Sequence, residues 1–144
     1  MINRNARNKF AELLRHFASG RITNDDFQDG FIILNRQAKK GKEENPALWA
    51  IYDAAWYLYS DTKCYRLTGK YKLPKEVRRE VAKWVVFLHS DLKYEWPVKN
   101  PFYWAFSCIL NLITLTLFAQ IKNWKCWPFF RNEDFQTALK NPKY

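Results

Sequence analysis

The stretch FYWAFSCILNLITLTLFAQI, residues 102–121, carries no charged side chain within a chain of formal net charge +10. Two environments accept such a run: the hydrocarbon layer of a membrane, or the centre of a folded domain. Its length qualifies for a span, which needs roughly 20 mostly apolar residues. Tyr103, Trp104, Trp124 and Trp127, with Lys99, Lys122 and Lys125, resemble the interfacial flanks of a span. However, Ser107, Asn111 and Thr114 stand at i, i+4 and i+7, one narrow polar strip on a helix. A lone span would turn Asn111 towards lipid without a partner. A core helix can match the strip to neighbouring backbone or water. The strip favours a core helix; a surface-bound or re-entrant membrane helix and a true span are the alternatives.

The rest of the chain supplies the elements that would cover such a helix. In residues 4–19, Phe10, Leu13, Leu14 and Phe17 form one apolar stripe, with Arg7, Lys9, Glu12 and Arg15 expected on the wet side. Gly20 stands where a helix stops. Thr23 with Asp26 has capping-box spacing, and Phe27, Phe31 and Leu34 mark the buried face that follows. Gly30 in that helix allows a neighbouring helix to approach closely. Asn45–Pro46 starts a third helix, running to about Tyr59 and apolar nearly all round except at Asp53, hence expected to be central. Pro74 opens a fourth, with Val77, Val81, Val85 and Leu88 inside. Asn100–Pro101 repeats the Asn–Pro start for the uncharged stretch, and NWKCWPFF reads as an extended aromatic arm before a last short helix. With only 4 Gly and 6 Pro, an all-β fold is disfavoured. The expectation is one mainly α domain over 1–144: about five or six helices around a central apolar helix at about 101–121, with an aromatic extended C-terminal arm.

Lys and Arg number 24 against 14 Asp and Glu, which favours acidic partners: nucleic acid, anionic lipid or an acidic protein face. The densest positive region is 63–83, KCYRLTGKYKLPKEVRREVAK. It interleaves Tyr65 and Tyr71 with Arg66, Lys70, Lys72, Arg78 and Arg79, a composition suited to tracking phosphates and stacking bases. Glu76 and Glu80, spaced for pairs with Arg79 and Lys83, point instead to a solvated or protein-binding helix face. The three cysteines, Cys64, Cys108 and Cys126, have no zinc spacing and read as free buried thiols in a reducing cytoplasm. No signal peptide is expected from MINRNARNKF.

LYSDTKCY (58–65) and LHSDLKY (88–94) echo each other. Either two helices end alike, with Asp61 and Asp91 outside, capping a turn or pairing with a base such as Arg66, or the two Ser–Asp corners meet in a polar pocket with Tyr65, His89 and Tyr94. The glycines at 20, 30, 41 and 69 are too scattered for a phosphate-binding loop, and the two histidines share no HExxH. No cofactor, metal or catalysis is expected. The enzymatic alternative is a weak activity of His89 with Asp61 or Asp91.

LLRHFASGRITNDDF, LYSDTKCYRLTGKYKL, VAKWVVFLHSDLKYEWP and WPFFRNEDFQTALKNPKY resemble the recurring blocks of a small bacterial protein family without an assigned activity. The resemblance covers most of the chain and implies a small bacterial cytoplasmic protein, with no catalytic residue or ligand carried over. The functional expectation is a non-catalytic protein-binding domain, by analogy an immunity-type protein that neutralises a toxin by direct binding. Its partner would present an acidic face. Nucleic-acid or anionic-membrane binding through 63–83 is the alternative.

Overall fold

The structure, a computed structural model, describes residues 2–40, 45–96 and 125–141. Among them the chain is mainly helical, with no strand: α1 (Arg4–Ala18), α2 (Asn24–Lys40), α3 (Pro46–Trp56), a 3-10 turn (Gly69–Tyr71), α4 (Lys75–His89) and α5 (Asn132–Lys140). None of these helices is long and apolar enough to cross a membrane. The uncharged stretch, its Asn100–Pro101 start and its expected central place lie outside the described residues.

α1 begins where Asn3 accepts a hydrogen bond from the Ala6 amide at 2.9 Å. It ends at Gly20, whose φ of +72° lets its amide reach the Phe17 carbonyl while Arg21 reaches that of His16. Only a short link separates α1 from α2, because Thr23 and Asp26 close a reciprocal box. The Thr23 amide donates to Asp26 Oδ2 at 2.9 Å, and the Asp26 amide donates to Thr23 Oγ1 at 3.1 Å. Those bonds hold the Asp26 carboxyl below its usual range.

α1 packs against both α2 and α4, and α5 packs against α4. A Cβ at Gly30 would sit 2.8 Å from the Leu13 side chain, so the glycine does mark a close approach. The α1–α2–α3 core is a chain of rings, with Phe17 stacked on Phe27 at 4.5 Å and Phe31 on Tyr52 at 3.8 Å. A second cluster joins α4 to the C-terminal region, where Phe87 and Phe135 each lie 5.1 Å from buried Phe129. Residues 125–131, the described part of the expected arm, run in turns.

α3 departs from expectation. It stops at Trp56 and buries one face, through Leu48, Ile51, Tyr52 and Ala55, while Trp49, Trp56 and Tyr57 are exposed. An all-round apolar sequence hid a one-sided helix. In α4 the buried residues are Val81, Trp84, Phe87 and Leu88, with Val77 and Val85 at the margin, so the inner face is rotated towards the aromatics. Of the two thiols among the described residues, both free, Cys64 is exposed and Cys126 half-buried, which corrects the expectation of burial for these two; Cys108 lies outside the described residues.

The two left-handed glycines separate backbone strain from crowding. A Cβ at Gly20 would lie 2.4 Å from Thr68 Cγ2, whereas at Gly69 (φ +54°) nothing lies within 4 Å. A non-glycine residue in this region costs about 1–2 kcal/mol. In urea unfolding, Gly69→Ala should lose about that much and Gly20→Ala at least about 1 kcal/mol more. Equal losses would show that the contact between the α1 end and Thr68 is not tight.

Candidate functional site

α1 and α4 pair antiparallel, and two arginines one turn apart fix the register at one end. Arg4 Nη1 donates to the His89 carbonyl, and its guanidinium pairs with Asp91. Arg7 Nη1 donates to the carbonyls of Ser90 (3.2 Å) and Leu92 (2.8 Å), and its guanidinium carbon stands 5.2 Å from the Phe87 ring centre. The carbonyls leaving a helix C-terminus carry partial negative charge, and a single guanidinium nitrogen, Nη1, meets two of them at once. Arg7 is only 2% exposed, which corrects its expected place on the wet side. The spacing held the signal: 7, 10, 14 and 17 continue one stripe, and only the charge argued otherwise. Burial, and then nearby Arg4, lower the Arg7 pKa to about 10, so it stays cationic at neutral pH.

The pairing leaves a groove of about 1120 Å³ on the outer side of α4. Val81, Val85 and Val86, with Ala138 of α5, make its apolar bed. Arg15 of α1, Lys72 of the preceding loop and Arg78 of α4 line it as exposed cations. His89 and Asp91 close the far end, and Asp134 faces in from the first turn of α5. Burial, then Arg15 and Arg4, push the His89 pKa down, so its ring is neutral at pH 7.

The expected site residues divide between several places. Lys72, Arg78, His89 and Asp91 line this groove. Asp61, Tyr65, Arg66 and Lys70 belong to the loop before α4, anchored at the start of α2. There buried Asn24 donates to the Ser60 and Lys63 carbonyls (3.2 and 2.9 Å) and accepts from the Tyr65 amide at 2.8 Å. Arg66 bridges to Thr23 and helps to hold Asp26 ionised. The Tyr65 hydroxyl accepts from the Ser60 amide at 2.7 Å, and its ring lies 4.3 Å from that of Tyr71, over which Lys70 stands. Tyr94 accepts from Trp127 Nε1 at 3.3 Å and packs edge-on to Phe87. Arg79 is exposed on α4.

The two Ser–Asp corners therefore do not share a pocket. One sits by the α2 start and the other by the α1 start, separated by α1, whose 15 residues span about 22 Å. Nor do they end two helices alike. Ser90 is a cap whose hydroxyl donates to the Phe87 carbonyl at 2.7 Å, whereas Ser60 lies four residues past Trp56. Asp91 finds its base in Arg4, not Arg66. On α4 the expected helical pairs reduce to Glu80–Lys83, and Lys83 also donates to the Lys125 carbonyl. Sequence reasoning passed over Arg4, Arg7 and Asn24. Asn24 gives no local signal at the acidic start of α2, because its partners lie 36 to 41 positions away.

Among the described residues no group of three His, Cys, Asp or Glu side chains is placed to hold a metal ion. No family model, curated protein or solved structure matches the chain. The groove is accordingly read from its own geometry.

Removing the guanidinium leaves two carbonyls without their donor, and charged hydrogen bonds contribute about 1.5–3 kcal/mol each. Arg7→Ala should lower stability by about 3 kcal/mol in urea unfolding, and Arg7→Lys, which keeps the charge but not the planar group beside Phe87, should restore only part of it. A loss below about 1 kcal/mol would remove the clamp from the account.

His89 gives a pH signature. Its folded pKa lies below the ordinary histidine value of 6.5, so the unfolded chain binds more protons between the two. Its contribution to stability is complete above 6.5 and is lost as pH falls through the folded value. Thermal melts between pH 7.5 and 5 should show a smaller fall in Tm for His89→Gln than for the wild type; parallel curves would contradict this.

Proposed function

We propose that the chain is a non-catalytic binding protein whose partner is another protein bearing an acidic face. The observation that carries this reading is the groove itself, an apolar bed beside three exposed cations. An apolar bed excludes water from a docked surface, and peripheral charge speeds association and selects the partner's sign. By analogy in size and chemistry, an immunity-type protein that neutralises a toxin is the specific form of this proposal.

Two features weigh against nucleic acid as the partner. The aromatic pair of the basic segment is engaged with itself, since Tyr71 has the Tyr65 ring at 4.3 Å and Lys70 at 5.0 Å. Among the described lining residues the bed beside Lys72 and Arg78 is aliphatic, and the ring nearest to it, His89, stands at the far end of the groove.

Co-expression with the products of adjacent genes, followed by size-exclusion chromatography, tests the proposal. A stable complex is expected whose affinity falls at least about tenfold in Lys72→Glu/Arg78→Glu and weakens with salt. A monomer with no co-eluting protein would count against it. So would oligonucleotide binding that falls steeply with salt and is abolished in the same variant.

A further inference from the structure

We infer that the groove receives one amphipathic helix of the partner, about three turns long, apolar where it enters and acidic along one flank; this deepens the protein-binding reading and rests on it. The length comes from α4. Arg78, Val81, Val85 and His89 lie at i, i+3, i+7 and i+11 along the groove, a run of about 17 Å at 1.5 Å per residue. A helix laid against that run presents its own i, i+4, i+7 side chains to the valines. The volume, about 1120 Å³, exceeds the roughly 300–1,000 Å³ of small-molecule sites.

The charges set the orientation. Arg15, Lys72 and Arg78 belong to α1, the connecting loop and the first turn of α4, so the acidic flank faces that side. Asp134 on α5 repels acids from the other flank. Asp91 is paired with Arg4 and the His89 ring is uncharged at pH 7, so at the far end the preference for an acidic flank comes from Arg15.

Two occupants from the chain itself fit less well. The stretch 102–121 has no carboxylate to offer three cations. α2 of a second copy does expose Asp25, Asp29, Ile32 and Ile33 on one face. Its insertion would put unlike surfaces in contact, which closes into a pair only where both copies exchange α2 across a twofold axis and otherwise gives rings or open filaments.

The probe is a fluorescent 15-residue helical peptide with leucines at i, i+4 and i+7 and glutamates along one flank. Its counterpart carries lysines in place of the glutamates. Fluorescence anisotropy should show the acidic peptide binding at least about tenfold more tightly than the basic one. Lys72→Glu/Arg78→Glu should abolish that preference. Ala82→Trp, which fills the bed from an exposed position, should weaken binding at least about tenfold without lowering Tm. Amide shifts on titration should centre on Val81, Val85 and Ala138. Equal binding of both peptides, no binding up to about 1 mM, or shifts centred on α2 and α3 would overturn the inference. Sedimentation that grows with concentration and is abolished by Asp25→Lys/Asp29→Lys would do so too, by assigning the groove to a second copy. If a partner co-elutes but these peptides fail, the helix inference falls and the protein-binding reading stands.

Discussion

A buried guanidinium whose hydrogen bonds run to main-chain carbonyls holds the α1–α4 pair in register. Removing a cation from water is costly, and an attractive partner must offset that cost. Arg7 meets the carbonyls of Ser90 and Leu92, at the end of α4 where the helix dipole is negative, with the face of Phe87 beside it. An aliphatic side chain at position 7 could fill the volume but could not satisfy those carbonyls. The contact therefore selects one end of α4 and one turn of α1, which dispersion between apolar stripes does poorly.

The groove is a consequence of that register. With the α4 end tied to the first turns of α1, Arg15 falls near His89, and the opposite end of α1 meets the loop that carries Lys72. Asn24 does the same work for that loop as Arg7 does for α4: it satisfies three backbone groups across a gap that no helix fills. The two anchors are polar and buried, and both hold irregular chain against a helix terminus. Between them lies an aliphatic strip of α4 with cations on one side.

Local features of the fold were legible from the sequence. The capping box at Thr23–Asp26, the stop at Gly20, the close approach at Gly30 and the stripe of Phe27, Phe31 and Leu34 all rest on short-range chemistry, and each is present as read. What depended on distant partners was not legible. Spacing puts Arg7 on the buried stripe while its charge argues for water, and the acceptors that decide between them lie more than 80 positions away. The all-round apolar sequence of α3 points to the centre, yet burial depends on which neighbours arrive, and Trp49, Trp56 and Tyr57 are exposed. For the site, Lys72, Arg78 and His89 were found by charge density and residue type. Their companions Arg15 and the valine bed are assembled only by the α1–α4 packing. The Ser–Asp echo carried no spatial meaning, because similar letters stood at opposite ends of one helix.

The most direct measurement is hydrogen exchange, resolved by segment, in the wild type and in Arg7→Met. If Arg7 fixes the α1–α4 register, exchange over residues 85–92 should quicken by about tenfold or more through local opening, while the start of α2 stays protected. Unchanged exchange at the α4 end, or a uniform rise along the whole chain, would show that the register is set elsewhere and that the groove does not depend on this contact.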